Sequence, residues 1–369
     1  MCLGNNQTQF AALVAVTLVA ATLFRPETSA AAPGMKAVLL SAPQATEAQL
    51  QSLKLDGNNA VVLNLSAENA AAESAAAARI QHAGLALYYW IEIGRNPALA
   101  DAHPEWMVSI QTHPEYRRLF PNLPAPKDGE VVKNYPWVSV LYAETFPVHL
   151  ARVKQLLADK PLASGIFLND LQAGPSACGC GHHLCRWTTD YGKIVTATRL
   201  SADGAAKFVA AVKQLSPASK VIPVWVPECE ESDADTLCNS VGCFKGACWR
   251  EFTAQLKPLA AEAETLAALV PYRALQRDLP RYGPTAGWVK QALQSFSTMP
   301  ERYQAPPVLP GRLIAILQGW EVTPGQIKAQ IARSVEAGAA GYVVSLMAIE
   351  QGWEPRIMQA VPPAGKPPK

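Results

Sequence analysis

Residues Ser164–Asp170 read SGIFLND, an apolar, β-rich run that ends in a carboxylate. Runs of this kind recur along the chain and alternate with segments whose apolar residues repeat at helical spacing. Short buried strands that alternate with helices are typical of βα units around a parallel sheet. The run therefore predicts a strand buried on both faces, which delivers Asp170 to the carboxyl end of the sheet.

The alternation predicts eight strands. They are Lys36–Ser41, Asn59–Leu65, Leu85–Ile93, Ser164–Asn169, Lys220–Val226, Leu266–Pro271, Arg312–Gln318 and Gly341–Met347. Seven helices are predicted between them: Thr46–Lys54, Ala67–His82, Thr145–Ala158, Ala202–Gln214, Trp249–Ala263, Thr285–Ser297 and Pro324–Ala337. Eight strands with intervening helices favour the α/β class and a closed (β/α)8 TIM barrel over an open doubly wound sheet. One such barrel can account for most of the 369 residues.

Three long segments interrupt the alternation, and each one follows a strand: Arg95–Trp137, Gly174–Thr188 and Cys229–Cys248. We therefore expect them as long loops at the carboxyl-terminal face, where characterised TIM-barrel enzymes carry their active sites. Residues 33–360 are predicted to form this one barrel, with Cys/His-rich loops at 174–188 and 229–248. The Pro-rich end, residues 361–369, is predicted to be a disordered tail.

The amino-terminal region resembles an export signal. Phe10–Phe24 is apolar apart from two threonines, and small residues follow it. We expect residues 1–32 to be a signal peptide cleaved near Ala30 or Ala31, although no Lys or Arg precedes the apolar run. The alternatives are an uncleaved anchor and a true start at Met35. Cleavage predicts a periplasmic or extracellular protein without a stable membrane span.

Composition argues against two classes of partner. The net charge is +2 and the basic residues are scattered, so we expect no nucleic-acid partner. Neither a Gly-x-Gly-x-x-Gly fingerprint nor a Walker-type loop follows a predicted strand, so we expect no nucleotide cofactor.

Carboxylates at the strand ends are the candidate catalytic groups. Asp170 ends the fourth predicted strand, and Glu228 follows the fifth. Cleavage of a glycosidic bond needs two carboxyl groups, about 5–5.5 Å apart in a retaining pair, and adjacent strands lie about 5 Å apart. Glu321, after the seventh strand, is a competing partner for Asp170. The alternative is that Asp170 caps a turn and the glutamates are solvated loop acids.

Further strand-end residues are candidate substrate-binding groups. Trp90, Trp225 and Trp320 could each cover the apolar side of a sugar ring. Glu92 and Glu350 are acids near the ends of the third and eighth strands. Any single tryptophan is more often core packing than a ligand platform, and Glu92 could hold only a core hydrogen bond. The implied partner is a carbohydrate or another small molecule.

Seven of the eight cysteines lie between positions 178 and 248. Thiolate and imidazole are the ligands that Zn2+ prefers, and a closed shell of four is typical of structural sites. Three disulfides with one free thiol would fit an exported chain equally well. The candidate ligands are Cys178, Cys180, His182, His183 and Cys185 in the first loop and Cys229, Cys238, Cys243 and Cys248 in the second.

The segment from Gly165 to Cys185 resembles uncharacterised glycoside-hydrolase-like barrel proteins. Their fourth strand reads Asp-Gly-Ile-Phe-Leu-Asp and precedes a Cys-x-Cys-x2-Cys loop. His103–Trp106 and Asn134–Trp137 are similar to further stretches of that family. The resemblance implies a (β/α)8 fold, an extracytoplasmic role on carbohydrate and Asp170 as the catalytic carboxylate. In this chain Ser164 stands where the family has Asp, and the cysteine spacing is wider.

Three functions follow as hypotheses. The first is an exported glycoside hydrolase, which cleaves O-glycosyl bonds with a carboxylate pair at the ends of strands four and five. The second is a carbohydrate-binding barrel without catalysis. The third is an exported metal-binding (Zn or Cu) or redox protein that uses the Cys/His cluster.

Overall fold

The structure is a computed structural model that describes residues 34–66, 68–109, 122–140, 142–171, 203–225, 249–270, 286–302, 304–349 and 354–359. The strands in these ranges are β1 (Met35–Leu40), β2 (Ala60–Asn64), β3 (Ala86–Glu92), β4 (Met107–Ser109), β5 (Glu130–Val138), β6 (Gly165–Asn169), β7 (Lys220–Trp225), β8 (Leu266–Val270), β9 (Leu313–Gln318), β10 (Gly341–Ser345) and β11 (Glu354–Gln359). The helices are α1 (Glu47–Leu55), α2 (Ala70–His82), α3 (Pro97–Ala102), α4 (Phe146–Leu157), α5 (Gly204–Leu215), α6 (Trp249–Glu262), α7 (Gly287–Arg302) and α8 (Pro324–Glu336).

Eight of these strands close into a parallel barrel in the order β1-β2-β3-β6-β7-β8-β9-β10, and β10 pairs with β1 to close the ring. The predicted (β/α)8 barrel is therefore confirmed. Each of the eight predicted strands is present, with ends within two residues of the predicted ones. The seven predicted helices are also present, and α7 extends past its predicted end at Ser297 to Arg302.

The barrel strands are buried on both faces, which explains their almost uninterrupted apolar sequences. The layer inside the barrel contains Trp90 and Phe167, whose rings stack at a centroid distance of 6.0 Å. The layer between the strands and the helices is larger and includes Trp225, Phe208 and Trp288. Side chains of a strand alternate between the two faces, so neighbouring positions contribute to different layers.

Local signals fix the helix ends. Thr323 and Gln326 form a capping box at the start of α8, and Pro324 occupies its first turn. Gly338 follows the helix with φ of +79°, a conformation that glycine adopts without steric cost. The predicted start and stop of this helix are both confirmed.

The segment Arg95–Trp137 carries regular structure where the sequence predicted a loop. It contains α3, β4 and most of β5, and β5 pairs antiparallel with both β4 and β11. Ala100, Met107 and Val138 form a small apolar cluster under this second sheet. A three-stranded sheet thus stands beside the barrel strand β3, from which the segment departs.

Within the ranges given above, no helix combines the length and hydropathy needed to cross a bilayer. The predicted signal peptide (1–32) and the predicted tail (361–369) lie outside the described residues. Both remain predictions.

Candidate functional site at the carboxyl end of the barrel

Glu92 is the last residue of β3, and three side chains hold its carboxylate. Trp90 donates from Nε1 to Oε1 at 2.8 Å, and Asn169 donates from Nδ2 to Oε2 at 2.8 Å. Arg95 donates from Nη2 to Oε2 at 3.4 Å. The Glu92 side chain nevertheless stays 26% exposed. It is an oriented carboxylate that a ligand can reach.

Strand geometry explains why these groups meet. Trp90 and Glu92 are two positions apart on β3, so their side chains leave the same face. Asn169, at the end of β6, is the register partner of Glu92 across the parallel pair. The pairing of the two strands therefore places the Asn169 amide next to the Glu92 carboxylate.

Asp170 lies directly behind Glu92 and is only 1% exposed. Arg95 donates from Nε to its Oδ2 at 2.6 Å. Burial raises the pKa of the Asp170 carboxyl from 3.8 to about 8, with Arg95 opposing the shift and Glu92 adding to it. Near pH 7 the Asp170 carboxyl therefore keeps its proton beside the Arg95 guanidinium.

Gly94 allows the turn after β3 to approach Asp170. A Cβ added at Gly94 would lie 2.7 Å from the Asp170 backbone oxygen and 3.1 Å from Nε1 of Trp137. Neither the Asp170 backbone nor the packed Trp137 ring can move easily to make room for the added Cβ. The close contact keeps Arg95, the next residue, within reach of both carboxyls.

We expect Gly94→Ala to lower the free energy of unfolding by about 1–3 kcal/mol, because an extra methyl group would be forced against backbone. Urea denaturation measures the change. Gly311→Ala is the matched control: no atom lies within 4 Å of its added Cβ, so a change within about 0.5 kcal/mol is expected. Equal losses in the two variants would contradict the steric argument.

Two cavities meet at Glu92. One, of about 220 Å3, lies at the barrel mouth and is lined by Trp90, Glu92, Arg95, Met347 and Ile349 among others. The other is an open cleft of about 770 Å3 between the end of β2, α3 and α4. Glu92 and Arg95 line both of them. Ligand pockets commonly measure about 300–1,000 Å3, so the cleft is large enough for a small molecule.

Helix α4 contributes His149 and Arg152 to the wall of the cleft. Burial lowers the pKa of His149 to about 4, so its imidazole is neutral near pH 7. Its Nε2 lies 3.2 Å from the backbone oxygen of Val138. Arg152 donates from Nη1 to the backbone oxygen of Glu92 at 2.6 Å.

The structure corrects two expectations about orientation. Asp170 was expected to face the active-site mouth, but it is buried behind Glu92 and lines neither cavity. Trp225 was expected at the substrate, but its ring is 1% exposed and lies in the layer between strands and helices. It occupies the outward-facing position at the end of β7, away from the barrel axis.

The other predicted residues in the described ranges lie at the barrel mouth. Trp90 is almost completely buried, lines the smaller cavity and donates a hydrogen bond to Glu92. Trp320 is half-buried and packs on the interior layer. Glu321 is exposed after β9, with φ of +52°, and lines neither cavity.

The remaining predicted site residues lie outside the described residues. These are Glu228, Glu350, Cys178, Cys180, His182, His183, Cys185, Cys229, Cys238, Cys243 and Cys248. Within the described part of the chain, no three His, Cys, Asp or Glu side chains come together as metal ligands would.

Sequence reasoning missed Arg95, Arg152 and Asn169. Arg95 follows Glu92 by three positions at a strand end, a spacing that could have suggested an ion pair. Asn169 was noted only as part of the fourth strand. Nothing in the local sequence of α4 distinguishes Arg152 from a solvated helix residue.

No protein-family model matches this chain, and no curated protein matches it. Solved structures do. A β-galactosidase of family GH42 from G. stearothermophilus has a TM-score of 0.48 and 11% identity, over 85% of this chain and 51% of that one. The α-L-fucosidase isoenzyme 2 from Paenibacillus thiaminolyticus has a TM-score of 0.45 and 13% identity, over 85% and 46%. An HpcH/HpaI aldolase from Desulfitobacterium hafniense has a TM-score of 0.35 and 11% identity, over 85% and 86%.

Two of these neighbours are glycoside hydrolases and the third is an aldolase. The chain spans about half the length of the galactosidase and fucosidase chains. Barrels of this architecture host many unrelated reactions, so likeness at this level carries no argument about activity.

Proposed function

We propose that this protein is a carbohydrate-acting barrel in which Glu92 transfers the proton during cleavage of a glycosidic bond. The proposal rests on one observation, the carboxyl pair at the barrel mouth. Glu92 is accessible and accepts hydrogen bonds from three side chains, whereas the neighbouring Asp170 is buried and retains a proton. Carboxyl pairs whose environments separate their protonation behaviour are typical of acid–base catalysis.

The proposed chemistry assigns one role to each group. Glu92, whose carboxylate accepts hydrogen bonds from three side chains, takes the proton of the water that attacks the sugar. Asp170 is a positioning residue, because its burial prevents contact with a sugar; it holds Arg95 beside Glu92. A second carboxyl group must donate a proton to the leaving glycosidic oxygen as the carbon–oxygen bond breaks. Glu228 is the sequence-based candidate for that acid.

The test is a panel of chromogenic glycosides and polysaccharides incubated with the full chain, together with tryptophan fluorescence to detect binding. Product release that is lost in Glu92→Gln supports the proposal. A fluorescence change without product would support the second hypothesis, a binding barrel without catalysis. Neither product nor binding across a broad panel would overturn the carbohydrate role.

A metal-binding function is the second candidate. Its support is the parallel pairing of β6 with β7, since the two cysteine-bearing segments follow these neighbouring strands. We propose that the cysteines and histidines there hold a structural zinc ion, with disulfides as the competing arrangement after export. Elemental analysis of the purified full chain with a free-thiol count separates them: bound metal with reduced thiols supports zinc, and three disulfides without metal exclude it.

A further inference from the structure

We infer that the cleft beside Glu92 selects a sugar unit that carries a carboxylate, and that Arg152 is the residue that recognises this anion. The inference rests on the proposed carbohydrate function and names the substrate class for the same site: an acidic saccharide with a uronic acid unit next to the bond that Glu92 acts on.

The hydrogen bonding of Arg152 is the first observation. A guanidinium has five N–H donors and no acceptor. Among the described residues, the only acceptor of the Arg152 side chain is the backbone oxygen of Glu92, 2.6 Å from Nη1. Within the described part of the chain, most of its donors therefore have no protein partner.

The surroundings of Arg152 are the second observation. Its guanidinium is desolvated enough that burial lowers its pKa, and Glu92 partly opposes that shift. A cation withdrawn from water with a single acceptor is costly, and an anionic ligand would offset that cost. Lys154, two positions along the same helix, is instead exposed and does not line the cleft.

The charge inventory of the cleft wall supports an anion at this position. Arg95 is already neutralised by its contacts with Asp170 and Glu92. His149 is neutral near pH 7. Glu68 is exposed at the rim, where water screens its charge. Among the described lining residues, Arg152 is thus the cation that retains donors for a ligand.

The shape of the ligand group follows from the donors. The planar fork of a guanidinium matches a carboxylate with two parallel hydrogen bonds. The rest of the wall offers amide and hydroxyl groups, contributed by Asn64, Ser66, Asn96 and Gln155, which suit sugar hydroxyls. The contact between Arg152 and the backbone of Glu92 holds the recognised anion close to the proton-transferring carboxyl.

The experiment compares trigalacturonate with its methyl ester, which has the same skeleton without the charges. Isothermal titration of the full chain is expected to give at least about tenfold tighter binding for the acid, with a loss of that preference in Arg152→Gln. The ester should bind the variant and the original chain equally. Lys154→Gln, the same charge change on the solvent side of α4, should leave both affinities unchanged.

The outcomes separate this inference from the proposed function. If Arg152→Gln weakens acid and ester alike, its role is to hold Glu92, and the inference falls. Tighter binding of a sulfated oligosaccharide than of the acid would also overturn it. If neutral saccharides bind and the acid has no advantage, the inference is wrong and the proposed function is unaffected. If no saccharide binds, both are wrong. If Arg152→Gln fails to fold, Arg152→Lys, which keeps the charge but loses the fork, should still reduce the acid preference.

Discussion

Replacing Glu92 by glutamine is expected to lower the turnover of a cleaved glycoside by about 100-fold to 10,000-fold, the range over which a positioned general base contributes. The amide has nearly the same shape and can still accept from Trp90 or Asn169, but it cannot transfer a proton. The loss should therefore appear in kcat, with little change in KM. Initial rates on the substrate identified by the glycoside panel measure it.

Glu264→Gln provides the control for this change. Glu264 is exposed just before β8, at the opposite end of the barrel strands, so its replacement should leave turnover unaltered. Circular dichroism and a denaturation curve on both variants exclude unfolding as the cause. Full activity of Glu92→Gln would remove Glu92 from the mechanism and with it the proposed chemistry.

Replacing Asp170 by asparagine should remove a pH-dependent loss of stability. The folded-state pKa of about 8 lies above the ordinary 3.8, so between these values the folded protein keeps a proton that the unfolded chain releases. Stability therefore falls as pH rises through this window, by at most about 1.4 kcal/mol per pH unit. The amide can still accept from Arg95 and donate to Glu92, but it does not titrate.

The measurement is the free energy of unfolding of both proteins in urea, at about pH 5 and about pH 7.5. Relative to the variant, the free energy of unfolding of the original chain should fall by up to about 3 kcal/mol across this interval. Asp128→Asn changes an exposed position. The pH dependence of its free energy of unfolding should therefore match that of the original chain. Parallel profiles for Asp170→Asn would mean that the buried carboxyl is already ionised at pH 5.

The barrel could be predicted because its signals are local. Each strand is a short apolar run, and each helix has a cap or a helical repeat that can be recognised without its neighbours. The second sheet could not be predicted in this way. β5 contains Pro136 and alternates poorly, and its partner β11 follows it by more than 200 positions. Strand pairing over such a separation leaves no periodic trace in either segment.

The sequence by itself determined the ring of eight strands, the face on which polar residues would gather, and the position of Glu92, Asn169 and Asp170 at neighbouring strand ends. Only the tertiary structure decided their roles. A turn that passes over Asp170 at Gly94 buries that carboxyl against Arg95, while β3 leaves Glu92 open to the cleft. The physical reason is that side-chain accessibility, and with it protonation, depends on what packs over a strand end. That covering comes from distant parts of the chain.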